Sequence, residues 1–142
     1  MQTKRHNLDK TGRQAVQDRL KKVLEKRPEV CFGYVHGSFV SDDAFADVDV
    51  AVFLYDRPET PLQYELALES ALMEAVHPYQ ADVRILNSAS LSFRYQVIKG
   101  GIPLSVQDDE RRTSFQEATL ADYFDFAPFR AMYLRETLGT GV

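Results

Sequence analysis

Val30-Cys31-Phe32-Gly33-Tyr34-Val35-His36-Gly37-Ser38 is followed, after a short connection, by Asp47-Val48-Asp49-Val50-Ala51-Val52-Phe53-Leu54-Tyr55, and these two runs decide the fold. Both are β-branched and aromatic, which predicts strands. The second is nearly all apolar beyond Asp49, as expected of a strand central in its sheet. Between them, Gly37-Ser38 breaks the first strand, and Asp42, Asp43 and Asp47 crowd the connection.

Upstream, residues Gln2 to Arg27 are highly charged and carry Val16, Leu20, Val23 and Leu24 at helical spacing. That stripe predicts one buried face, with Arg13, Asp18, Lys21, Lys22 and Glu25 in water. Pro28 closes the helix, because a proline pushes its predecessor out of the helical region. Downstream, Asp56-Arg57-Pro58 reads as a turn. Thr60-Pro61-Leu62-Gln63 then reads as a helix start, with Thr60 as cap, Pro61 at the first position and Gln63 completing a capping box. Leu62, Leu66, Leu68, Leu72, Ala75 and Val76 are its expected buried face, up to about Pro78. Asp82-Val83-Arg84-Ile85-Leu86 is a third strand that Asp82 opens. Leu91 to Ile98 is a short helix stopped by Gly100-Gly101, and Ile102-Pro103-Leu104-Ser105-Val106 is an edge strand, since Pro103 has no N–H for a ladder. Ser114 and Glu117 form another capping box, opening helical sequence to about Phe126, and Pro128 starts a last helix. The order predicts one α/β (α+β) domain over residues 1–142. Its mixed sheet has about four strands, helices pack mainly on one face, and a helical segment starts near residue 114.

With 142 residues the chain is long enough to bury roughly 68–70% of its unfolded surface. Hydrophobic residues make up 44% and charged residues 27%, within the ordinary range for a globular domain. No apolar run approaches the roughly 18 residues of a membrane span, and Met1 opens a polar stretch unlike a signal peptide. Cys31 is the single cysteine, which excludes an internal disulfide framework and a cysteine zinc site. The net charge of -4 argues against a domain carried by a basic surface, so no direct nucleic-acid partner is expected. These features predict a small cytoplasmic domain.

The chemistry concentrates in the carboxylates. Asp47 and Asp49, two apart at a strand head, leave the same face with Cβ atoms roughly 6–7 Å apart. Val48, Val50, Val52 and Leu54 then pack on the other face. Asp82, on a neighbouring strand, is placed to join them. Carboxylates gathered at strand ends repel one another unless a divalent cation neutralises them, and Mg²⁺ suits such oxygen donors. Gly37 lets backbone approach a ligand closely, and Ser38 offers a hydroxyl and an amide where anions are favoured. Phosphate on that loop beside metal on the aspartates describes a nucleoside triphosphate site. The third carboxylate would help deprotonate an attacking hydroxyl. A lone Asp-x-Asp or Gly-Ser is usually a solvated turn; the ordered set is what selects.

His36-Gly37-Ser38 with Asp47-Val48-Asp49-Val50 resembles the signature of the DNA polymerase β-type nucleotidyltransferases. The small size and layout resemble their minimal MNT-type branch, the MntA-like adenylyltransferase antitoxins, over nearly all of the chain. Gly100-Gly101-Ile102-Pro103-Leu104 is similar to the family's glycine turn and strand after the third aspartate. The resemblance implies a nucleotidyltransferase core, Mg²⁺ (two ions) and ATP as donor. It also implies AMP transfer to a tyrosine hydroxyl of a partner HEPN-domain toxin, in a homo- or hetero-oligomer. Carried over, Gly37 and Ser38 contact the triphosphate, Asp47 and Asp49 bind metal, and Asp82 is the third carboxylate. The connection Phe39 to Ala46 is shorter than the branch commonly carries and lacks its basic residue and glycine. Two alternatives stay open: an antitoxin that neutralises by binding alone, and a nucleotidyltransferase acting on a small hydroxylated molecule.

Other residues have plainer expectations. His36 reads as a strand-end histidine satisfied by backbone, and Cys31 as a small core side chain. Arg84 is expected on the face opposite Asp82, in an edge salt bridge. Arg94 and Lys99 are expected in solvent, and Arg111-Arg112 in a mixed-charge loop. Tyr123, Phe124, Phe126, Phe129, Met132 and Tyr133 are divided between packing on the sheet and a partner-binding face.

Overall fold

Antiparallel pairing joins the two runs that bracket Gly37-Ser38, and everything else is arranged around that ladder. The computed structural model describes residues 4–137, with side chains through residue 125. In chain order the elements are β1 (His6–Asn7), α1 (Lys10–Glu25), β2 (Val30–His36), α2 (Ser38–Ser41), β3 (Ala44–Phe45) and β4 (Asp47–Leu54). They continue with α3 (Pro61–Val76), β5 (Gln80–Ile85), α4 (Leu91–Gly100), β6 (Ile102–Val106) and α5 (Asp109–Thr137). The main sheet runs β5-β4-β2-β6, with β4 parallel to β5 and the other pairs antiparallel. β4 is central and β6, with Pro103, is an edge, as the sequence predicts.

The period-two alternation of β4 divides the interior. Val48, Val50, Val52 and Leu54 join Val16, Leu20 and Leu24 of α1 and Leu68, Leu72 and Val76 of α3 in the larger core. Each fully buried leucine there contributes about 1.5–3 kcal/mol. On the other face, Ala51 joins Cys31, Phe32, Tyr34, Leu86, Val97 and Phe115 beneath α4 and the start of α5. Asp47 and Asp49 continue this second face beyond its apolar part.

Several boundaries differ from expectation, each for a local reason. The first helix starts at Lys10 rather than near Gln2, because Asp9 caps it by accepting from the Gly12 N–H at 2.7 Å. Upstream, His6–Asn7 pairs instead with Ala44–Phe45 in a small two-stranded ladder. Pro61 does open α3, but Thr60 makes no side-chain cap bond. Leu62 and Leu66 are 66% and 54% exposed, so the buried stripe of α3 is carried by Leu68, Leu72 and Val76. β5 begins at Gln80, two residues before Asp82. The last helix opens at Asp109 rather than Ser114, because the Asp108 carboxylate accepts from the Arg111 N–H at 3.1 Å. Ser114 is therefore interior to it, and the helix continues across Pro128 rather than restarting there. Arg111 and Arg112 sit on its first turn, paired with Asp108 at 3.8 Å and Asp109 at 3.0 Å, not in a loop.

Candidate active site

β2 and β4 pair with His36 opposite Asp49, and β4 and β5 pair with Asp49 beside Asp82. His36, Asp49 and Asp82 therefore lie in one row across three adjacent strands, neighbours separated by about 4.8 Å of sheet spacing. Asp47 stands two residues before Asp49 on the same face. The burial alternation of β5 confirms which face this is: Ala81, Val83 and Ile85 are buried, while Gln80, Asp82 and Arg84 are exposed. The predicted aspartates thus share one side of one sheet end.

Their field is unbalanced. Burial, then the charge of Asp82, then that of Asp47, push the Asp49 carboxyl up from 3.8 to about 6. Among the described residues no three acid, histidine or cysteine side chains close into a formed metal-holding cluster. The donor chemistry nevertheless fits a hard divalent cation: three carboxylates share one face, and one of them is held above its ordinary range by burial first and by the other two after it.

Gly37 has an additional role. It has φ 77° and ψ −156°, a region open essentially to glycine alone. A Cβ added there would sit 2.2 Å from Asp49 Oδ2. The glycine therefore makes room for the aspartate carboxylate as well as exposing its own backbone. Ser38 opens the short helix α2, whose first N–H groups have no intrahelical acceptor.

His36 corrects one expectation. Its Nε2 is buried without a hydrogen-bond partner, so no backbone group satisfies it there. Burial lowers its pKa, with Arg84 acting in the same direction and Asp82 against it. Its ring meets Phe93 edge-on at 5.4 Å between centroids. Arg84 lies over the same Phe93 ring at 4.7 Å, on the face of Asp82 rather than opposite it. Two residues apart on a strand means the same side, and among the described residues Arg84 makes no salt bridge. Phe93, from α4, thus packs against both His36 and Arg84 beside the acidic row.

Arg13 is the residue that reasoning from the sequence missed. Its place on the charged side of the helical stripe predicts solvent; instead its guanidinium donates to the carbonyls of Leu8 (3.0 Å), Phe39 and Asp43 (2.6 Å). It also lies over the rings of Phe39 at 5.5 Å and Phe45 at 5.2 Å, both of which are fully buried. A cation from α1 therefore fastens the connection between Ser38 and Asp47, which carries no basic residue of its own. The available signal was the pair Phe39 and Phe45, two aromatic anchors inside an acidic loop. Arg94 likewise differs from expectation, donating to the carbonyls of Leu86 (3.1 Å) and Asn87 (2.5 Å). Cys31 is a buried core side chain, as expected.

Of the C-terminal aromatics, Tyr123 stacks on Tyr95 at 3.6 Å, and Phe124 is 51% exposed. Phe126, Phe129, Met132 and Tyr133 lie outside the residues whose side chains are described.

The sequence model of the family described as Polymerase beta, Nucleotidyltransferase matches residues 18–110, which includes every residue of the row and of the Gly-Ser turn. No protein of curated function matches the chain in sequence. Among solved structures, the chain is similar to one of the tri-AMPylated Shewanella oneidensis HEPN toxin in complex with MNT antitoxin. That match has a TM-score of 0.67 at 22% identity, covering 89% of this chain and 98% of that one. It is similar to the toxin-antitoxin MntA-HepT, with a TM-score of 0.65 at 21% identity over 88% and 98% of the two chains. A toxin-antitoxin with AMP-PNP gives 0.67 at 22% identity over 86% and 98%. At such identities the likeness is one of fold. Among the described residues no helix is long and apolar enough to cross a membrane.

Proposed function

Because the chain belongs to the polymerase beta nucleotidyltransferase family, we propose that it transfers AMP from ATP to a tyrosine hydroxyl of a HEPN-domain partner, and so acts as an antitoxin. The observation that carries this reading is the row across the sheet, where Asp49 and Asp82 are register partners and Gly37 is packed onto the Asp49 carboxylate. Solved structures of the same fold pair an MNT antitoxin with an AMPylated toxin and hold a nucleotide analogue, which is consistent with this acceptor and donor.

Asp47, Asp49 and Asp82 would hold Mg²⁺, as two ions. When bound, the metal supplies charge neutralisation at the entering and leaving oxygens. The chain's own groups do the positioning. Gly37 and Ser38 cradle the triphosphate from the exposed turn. Asp82, the exposed carboxylate of the row, faces the acceptor hydroxyl and receives its proton as the oxygen attacks the α-phosphorus. The new bond joins tyrosine oxygen to that phosphorus, and the bond to the β-phosphate oxygen breaks, releasing pyrophosphate. Phe93 limits water on one flank. The protein works in the cytoplasm as a hetero-oligomer with its toxin.

A second reading, neutralisation by binding alone, is favoured by one observation. The cation that supports the Ser38–Asp47 connection, Arg13, is engaged with backbone carbonyls rather than free for phosphate. Intact-mass spectrometry of the co-expressed partner with ATP and Mg²⁺ separates the two. One or more AMP adducts that vanish with Asp47→Asn/Asp49→Asn support transfer. An unmodified partner in a tight, neutralised complex refutes it in favour of binding.

A further inference from the structure

β5 is the terminal strand on the Asp82 side of the sheet, paired with β4 along one edge only. Its other edge is closed by two carboxylates of α3. Glu69 Oε1 accepts a hydrogen bond from the Val83 N–H at 2.9 Å, and Glu65 Oε2 from the Ile85 N–H at 3.0 Å. Two repeats explain the match. Four residues of helix advance about 6 Å, and two residues of strand advance about 6.6 Å. Glutamates spaced i, i+4 therefore meet alternate outward N–H groups of an edge strand one for one. Left free, such N–H groups are a template for an added strand.

Both glutamates are partly buried, and among the described residues neither forms a salt bridge. Their negative ends are compensated by the strand amides, as in other charge-assisted hydrogen bonds. The N–H that Glu69 holds belongs to the residue directly after Asp82. Val83 points into the core while Asp82 stays exposed. The backbone at Asp82 is thereby held from β4 on one side and from α3 on the other.

We propose that Glu69 is a positioning residue for Asp82, while Glu65 closes the same edge farther from the site. The proposal rests on the reading of Asp82 as a functional carboxylate. It also means that a partner cannot extend the sheet at β5, since the outward N–H groups of Val83 and Ile85 are already taken.

The test uses the full chain with Glu69→Ala, Glu69→Gln and Glu65→Ala. Two quantities are read: amide exchange at Val83 and Ile85 by NMR, and Mn²⁺ affinity of the protein alone by electron paramagnetic resonance. In Glu69→Ala, Val83 exchange accelerates and Mn²⁺ binding weakens about tenfold, the low end of the cost of losing a group that orients a metal ligand. Glu69→Gln keeps an acceptor oxygen and restores both to within about threefold of wild type. Glu65→Ala accelerates exchange at Ile85 and leaves Mn²⁺ affinity within about twofold. Unchanged Val83 exchange in Glu69→Ala overturns the proposal. So does an equal loss of Mn²⁺ affinity in Glu65→Ala, which would mark a general loosening of the edge. Should Glu69→Ala fail to fold, Glu69→Gln decides: protection at Val83 with Mn²⁺ affinity still tenfold weaker overturns the acceptor role. A wild-type protein that binds no Mn²⁺ refutes the metal reading of the aspartates, while the exchange arm still decides whether the glutamates hold the edge.

Discussion

Replacing Gly37 with alanine tests the contact on which the site is built. The residue has φ 77° and ψ −156°, so a side chain there carries a backbone cost of about 1–3 kcal/mol. The added Cβ would stand 2.2 Å from Asp49 Oδ2 and 3.2 Å from its Cγ. Real contacts of that kind lie above 3 Å, so the carboxylate must retreat by about 1 Å. A catalytic group misplaced by that distance costs on the order of 10²-fold in rate. The stability part lowers the melting temperature by about 4–12 °C for a domain of this size. Thermal unfolding in EDTA and AMP transfer to the partner, read by intact mass, measure the two parts. A second background separates them. With Asp49→Ala already present, the collision is gone and only the backbone cost remains, so Gly37→Ala then destabilises less than in wild type, by about 1 kcal/mol or more. Equal destabilisation in both backgrounds, or transfer by Gly37→Ala within about twofold of wild type, would refute the argument that this glycine exists to admit the Asp49 carboxylate.

Three further outcomes follow from other contacts. The folded Asp49 carboxyl keeps its proton up to about pH 6, whereas the unfolded one releases it near 3.8, so the metal-free fold binds more protons than the unfolded chain between these values. Its stability therefore falls as pH rises from about 4 to 6 and levels off above. Asp49→Asn removes that fall, and melting curves in EDTA across the window that stay parallel for the two proteins would contradict it. Arg13→Ala frees the connection after Ser38 and costs about 2 kcal/mol; Arg13→Lys rescues little, because one ammonium cannot reproduce a fork aimed at three carbonyls. Urea midpoints of the three proteins check this. Asn87 donates to the Leu54 carbonyl at 2.8 Å and accepts from the Leu54 N–H at 2.9 Å, completing the end of β4 as a neighbouring strand would. Asn87→Ala therefore lowers stability by about 1–3 kcal/mol while leaving AMP transfer unchanged; lost transfer in a folded variant would place Asn87 in the site instead.

Much of this molecule is legible locally. The strands at Val30–His36 and Asp47–Leu54 follow from β-branched and aromatic runs, and the common face of Asp47 and Asp49 follows from the two-residue repeat of a strand. That same repeat places Arg84 with Asp82, so the expectation of opposite faces ran against a signal already present in the numbering. The Gly37-Ser38 turn and the edge position given by Pro103 are equally local. The start of α3 at Pro61 is legible too, but those of α1 and α5 are less so, because Asp9 and Asp108 are the caps that act while Ser114, of nearly equal capping strength, lies inside α5. Tertiary pairing alone decided the rest. That Asp82 stands beside Asp49, with His36 on the other side, depends on which strands become neighbours, and no propensity of the three segments encodes that order. Arg13 becomes a clamp because Phe39 and Phe45 fold beneath α1, and Glu65 and Glu69 turn from solvent toward an edge that exists only once β5 has docked. Local conformation depends on residues within a turn or two of each other. The balance of charge and hydrogen bonds at the site is set by groups far apart in the chain, and it becomes definite only when packing brings them together.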